Sequence, residues 1–125
     1  LEKVMFTGYV SNEDLPKYYN VADLFVLPSL TREEAFGIVL AEAASCGAVP
    51  ICFDIPGPNE ACRDLGGFVV PLPGPMEAHD KLAQTILQVL AADLSSQSKI
   101  CRQSAMRYAW SAIAEQTLHV YQELL

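Results

Sequence analysis

Apolar positions along the chain fall into two rhythms. Short unbroken runs occur at Val4–Phe6, Leu24–Leu27 and Val49–Phe53, and a turn at Gly66 and Gly67 leads into a last run, Phe68–Val70. Runs this short, bounded by glycine, proline or polar residues, predict buried strands. Between them, apolar residues recur at helical spacing. Leu15, Tyr18, Tyr19, Val21 and Ala22 predict a helix with one buried face. Ser11 to Asp14 give it a capped, acidic start, and Pro16 falls in its first turn, where a missing N–H costs little. Phe36, Val39, Leu40 and Ala43 predict a second helix, ended by Gly47. The turn-rich loop Asp54–Glu60 runs into a short helix at Asn59–Asp64, and the Pro-rich loop Pro71–Pro75 follows the last strand.

From Met76 onward the pattern is helical. Leu82, Ile86, Val89 and Leu90 mark one helix; Ile100, Cys101, Ser104, Ala105 and Tyr108 a second; Trp110, Ile113, Ala114, Thr117, Leu118, Tyr121, Leu124 and Leu125 a third. Asp93–Ser96 is a capping context between the first two. The predicted order is βαβαβαβ followed by helices. Strands alternating with helices imply an α/β fold, a Rossmann-like, doubly wound parallel sheet covered on both faces, here with additional C-terminal helices. Residues 1–125 are expected to form a single domain, with no repeat or linker to divide it. The chain opens directly on a strand-like run, the pattern expected of a portion of something longer.

Composition narrows the classes of function. Apolar residues at 51% against 18% charged are those of a globular chain, and no apolar run approaches the ~20 residues of a membrane span. A net charge of −7 argues against a nucleic-acid surface. The cysteines, Cys46, Cys52, Cys62 and Cys101, show no CxxC spacing and read as reduced, buried thiols of a cytoplasmic protein. With only His79 and His119 beside them, no metal site is expected.

The loop and helix after Leu24–Leu27 hold the candidate chemistry. In parallel crossover units ligands bind outside the carboxyl ends of the strands, and here that loop carries Glu33, Glu34 and Gly37. Residues 34–51, EAFGIVLAE followed by AASCGAVPI, closely resemble the donor-binding signature of the group 1 (family four) glycosyltransferases. FTGYVS at 6–11 and ADLFVLPS at 22–29 resemble the same family, in which a strand ending in glycine precedes the Glu-bearing loop by one helix. The resemblance implies the C-terminal, donor-binding portion of a retaining transferase, a truncated half of the two-domain GT-B fold. It spans residues 4–72 well and the late helices loosely.

Glu34 and Glu42 stand eight positions apart. On one helix that is about 80° of rotation and ~12 Å of rise, too far for a close acid/base pair and suited to gripping two parts of one long ligand. The resemblance implies that Glu34, the candidate catalytic residue, lies beside the donor sugar and that Glu42 binds the ribose hydroxyls. Backbone N–H groups around Phe36, Gly37 and Ile38 fall at a helix start, where they suit a phosphate or sugar oxygen. Glu60, just past a Pro-Gly turn, is a further donor-site candidate. Asp23, between helix and strand, reads as a local cap rather than a catalytic acid. Glu34 has a plainer reading as a partner of the helix dipole, worth about 0.3–1 kcal/mol without any ligand. Glu42 has none so simple, because Ala35 to Phe53 is otherwise uncharged.

The chain departs from the family pattern in three places. The turn after Glu42 has one extra residue, Pro56 replaces the first of two glycines before Glu60, and no Lys or Arg matches the family's diphosphate clamp, Arg32 included. The expectation is therefore glycosyl transfer from a nucleotide-diphosphate sugar with retention, this chain supplying part of the donor site and inactive alone. No separate cofactor is implied. The acceptor, a sugar, a lipid or another group, would be held by the missing N-terminal domain, and the parent could associate with a membrane surface. The alternative is a degenerate transferase-like module that binds a nucleotide or partner without catalysis. A dinucleotide-dependent dehydrogenase is excluded by the lack of a GxGxxG turn. An unpaired sheet edge or bare apolar face would make the isolated chain self-associate.

Overall fold

The computed structural model describes residues 3–31, 35–72, 74 and 76–125. Three strands, β1 (Leu24–Leu27), β2 (Val49–Phe53) and β3 (Phe68–Val70), form a parallel sheet in the order β1-β2-β3. Leu24 pairs with Val49 and Ile51 with Phe68, which fixes the register on both sides of β2. The central strand is buried along its whole length, whereas β1, partnered on one side, is only half-buried.

Helices cover both faces, as the alternation predicts. α2 (Ile38–Ser45) and α3 (Pro58–Asp64) carry the chain from strand to strand, and with α5 (Ser95–Ala105) they enclose one core. Leu40, Ala44, Cys52, Cys62, Leu65 and Cys101 meet there. On the opposite face, Ile51, Phe53 and Val70 pack against Val89, Leu82 and Ile86 of α4 (Ala78–Leu90). α1 (Leu15–Val21) lies against α2 through Tyr19, Ala43 and Ala48, with Leu15 and Ala22 alongside.

Both crossover helices end in the same way. Gly47 at φ 94° lets Ala48 N–H reach the Ala43 carbonyl and Gly47 N–H that of Ala44. Gly66 at φ 76° does the same for α3, with Gly67 N–H on the Cys62 carbonyl. This paired turn satisfies carbonyls that a helix end would otherwise leave bare. α5 then closes over both ends. Ser98 Oγ donates to the Gly47 carbonyl (2.7 Å) and Arg102 Nη2 to that of Cys46 (2.7 Å), while Gln97 Nε2 donates to the Gly66 carbonyl. α2 has no basic residue in its own last turn, so Arg102 supplies the cation that suits the negative end of its dipole.

Three expectations are corrected. Val4–Phe6 is not a strand: Met5 is 80% and Phe6 89% exposed, and no strand among the described residues pairs with it. Without that pairing so short a run has nothing to hold it extended. In α1 only Tyr19 is buried, with Leu15 and, just past the helix, Ala22 half-buried beside it, while Tyr18 and Val21 point to solvent, each about 100° away from the neighbour that follows it. α2 begins at Ile38, not Phe36, because Gly37 takes a left-handed conformation that breaks the helical path. The last helix, α6 (Trp110–Glu123), buries none of its residues.

Candidate functional site

The site is built on the outward stripe of α2. Its inward residues, Leu40, Ala43 and Ala44, are fully buried. Ile38, Ala41, Glu42 and Ser45 follow at i, i+3, i+4 and i+7 and so share the opposite side. They floor a hollow of about 570 Å³ whose far wall is Tyr108, Trp110 and Ile113, with Phe36 at one end. Phe36 meets Tyr108 edge-on, their rings 5.7 Å apart at 66°. Tyr108 also donates from its hydroxyl to Asp64 Oδ2 (3.4 Å), so it joins the approach to α2 to the end of α3.

A second hollow, of about 230 Å³, lies on the α1 side of Glu42 and is lined by Asn12, Leu15, Pro16 and Tyr19. Glu42 and Ser45 border both hollows, so the Glu42 carboxylate stands on the ridge between them. Tyr19 donates its O–H to Glu42 Oε2 at 3.4 Å. Burial first, and then the negative charge of Glu42, push the Tyr19 phenol up, so it keeps its proton through the neutral range. Among the described residues, no Lys or Arg lines either hollow.

The structure thus brings Phe36, Ile38 and Glu42 together. Gly37 sits beneath them, buried, at φ 77°. A Cβ there would lie 2.9 Å from Leu40 Cδ1 and 3.4 Å from Leu27 Cδ2, so core packing as well as conformation selects glycine. Glu60 is exposed in the first turn of α3 and borders neither hollow. The loop before it is knit locally, Asp54 Oδ1 accepting from Asn59 Nδ2 (2.7 Å) and Arg63 Nη2 (3.0 Å). Those bonds, the one from Asn59 foremost, hold the Asp54 carboxyl below its ordinary range. Glu34, the candidate catalytic residue, lies outside the described residues, as do Arg32 and Glu33.

Tyr19, Tyr108 and Trp110 border the site without having been singled out for it in the sequence. Their signal was present only as apolar positions on helical stripes. Among the described residues no group of three or more His, Cys, Asp or Glu side chains could hold a metal ion, and no helix is long and apolar enough to cross a membrane.

Comparison with known proteins bears on the same stretch. The family model for glycosyl transferases group 1 matches residues 1–105. The O-antigen chain mannosyltransferase B of Escherichia coli is 32% identical over 123 residues, covering 97% of this chain and 30% of that protein. A D-inositol 3-phosphate glycosyltransferase of Salinispora tropica is 31% identical over 127 residues, covering 98% and 25%. A phosphatidyl-myo-inositol mannosyltransferase of Mycobacterium tuberculosis is 31% identical over 120 residues, covering 94% and 32%. The chain therefore spans between about a quarter and a third of the length of these relatives.

Proposed function

Because the chain belongs to the group 1 glycosyltransferases, we propose that it forms, as one domain, the donor-binding portion of a longer GT-B enzyme. That enzyme transfers a sugar from a nucleotide diphosphate to an acceptor with retention at the anomeric carbon. The observation that carries this reading is the Glu42 carboxylate, raised between two hollows on the helix that follows β1. A carboxylate there accepts the paired hydroxyls of a ribose, and the hollows on either side take what the ribose carries. The first N–H groups of α2, at Ile38 and Val39, face phosphate oxygens, with Phe36 closing that end; that of Leu40 donates to the Gly37 carbonyl. Glu34 lies beside the sugar, and Glu60 is an outlying donor contact.

Departure of the diphosphate is stabilised by these backbone dipoles and by basic residues from elsewhere in the enzyme, without a metal or a separate cofactor. The acceptor, whether sugar, lipid or another group, is held by the other domain. The enzyme works in the cytoplasm, against a membrane surface when its acceptor is a lipid. Alone, the 125-residue chain is inactive.

Calorimetric titration of UDP, GDP and ADP into the complete transferase tests the reading. One of the three binds, and Glu42→Ala weakens it at least about tenfold, the loss of a hydrogen bond to a charged group. A folded enzyme that binds none of them would instead be the degenerate interaction module.

The isolated chain is expected to self-associate. The outer edge of β1 has no partner strand among the described residues, and Trp110 of α6 is 86% exposed. Sedimentation velocity should show a weight-average coefficient that rises with loading. A single monomer boundary at every concentration would remove the expectation.

A further inference from the structure

Among the described residues Glu42 has one side-chain partner, Tyr19. Tyr19 is the single buried residue of α1 and only 8% exposed, yet its hydroxyl reaches the ridge where Glu42 stands. Its ring is fixed from below by Phe25 of β1, edge-on at 5.5 Å and 86°. Ala43 and Ala48 pack around it in the same cluster. A phenol so held has little rotational freedom, whereas an exposed glutamate on a helix has a great deal.

Resting on the donor-site reading above, we infer that Tyr19 is a positioning residue for donor recognition. Its O–H holds Oε2 of Glu42, so that the carboxylate plane is set before a ribose arrives. Each carboxylate oxygen has two acceptor sites, so Oε2 can hold Tyr19 and still receive one ribose hydroxyl while Oε1 receives the other. The phenol keeps its proton at neutral pH, so the bond runs in one direction only, from tyrosine to carboxylate. The tyrosine touches no part of the donor that reacts. It acts through Glu42, by removing the conformational freedom that binding would otherwise have to remove.

Tyr19→Phe in the complete transferase isolates the hydroxyl, because the ring and its contact with Phe25 remain. Calorimetry with UDP, GDP and ADP, and with their 2′,3′-dideoxy counterparts, separates positioning from packing. The variant is expected to bind the preferred ribonucleotide about five- to tenfold more weakly and its dideoxy counterpart as well as the wild type does. Placed in a Glu42→Ala background, the same change should have no further effect. Equal weakening of both nucleotides, or a persisting effect without Glu42, would show a structural role and overturn the inference. An unchanged ribonucleotide preference in Tyr19→Phe would overturn it while leaving the donor site intact. A wild-type enzyme indifferent to the ribose hydroxyls would overturn the donor-site reading with it.

Discussion

Replacing Gly67 by alanine is expected to lower the midpoint of thermal unfolding on the order of 10 °C, the effect of about 3 kcal/mol in a domain of this size. The cause is proximity. A Cβ on Gly67 would lie 2.5 Å from the Pro50 carbonyl oxygen, 2.6 Å from Cys62 Sγ and 2.7 Å from Pro50 Cγ. None of these can step aside cheaply, since Pro50 belongs to the fully buried central strand and Cys62 is 0% exposed. Cys62 Sγ also lies 3.6 Å from the Pro50 carbonyl and 3.5 Å from that of Phe68, so the thiol is itself held by the two strands it bridges. Gly74→Ala is the matched control, because no atom of the described residues lies within 4 Å of the added carbon. It should change stability by no more than about 0.5 kcal/mol. Melting curves followed by circular dichroism read both, and a Gly67 variant that melts with the control would mean that α3 can shift on β2 at little cost.

Glu34→Gln in the complete transferase is expected to reduce kcat by about 10²–10³-fold, the usual loss when one electrostatic partner of a transition state is removed. The substitution keeps size and hydrogen-bonding reach and deletes the charge. If Glu34 lies beside the sugar, as proposed, that charge matters most while positive charge develops at the anomeric carbon. Donor binding, which is proposed to rest on Glu42 and the first turn of α2, should change far less. Steady-state turnover with a nucleotide sugar, alongside titration of the nucleotide alone, separates the two contributions. Turnover at the wild-type level would remove Glu34 from the chemistry and leave its charge as a partner of the helix dipole.

Most of the sheet was legible because its signals are local. Leu24–Leu27, Val49–Phe53 and Phe68–Val70 are short apolar runs bounded by turn or polar residues, and all three are strands. Gly47 was legible as a helix end for the same reason, its left-handed turn being a property of the residue itself. What escaped depends on partners distant in sequence. Ser98 and Arg102 are ordinary polar residues of a late helix until they meet carbonyls 51 and 56 positions earlier. Tyr19 reads as a core aromatic, and its bond to Glu42, 23 residues on, is visible only when α1 lies beside α2. Val4–Phe6 shows the converse, a local signal for a strand with no neighbour here to realise it. Of the proposed site, the residues between Phe36 and Glu42 were legible as a motif. The aromatic wall of Tyr108 and Trp110 was not, because the stripe they occupy carries the same apolar signature as any packed helix.

The closure of α5 over the ends of α2 and α3 has a consequence for how the fold yields. Two crossover helices that would otherwise fray independently at their glycine ends share one fastening, so loosening α5 releases both together. α2 is thereby tethered at Cys46 and Gly47, the end away from its first turn, and Glu42 sits one turn from that anchor. The firmness with which the ridge carboxylate is presented is thus set by a segment more than fifty residues downstream, one that reaches the larger hollow only at its last residue, Ala105.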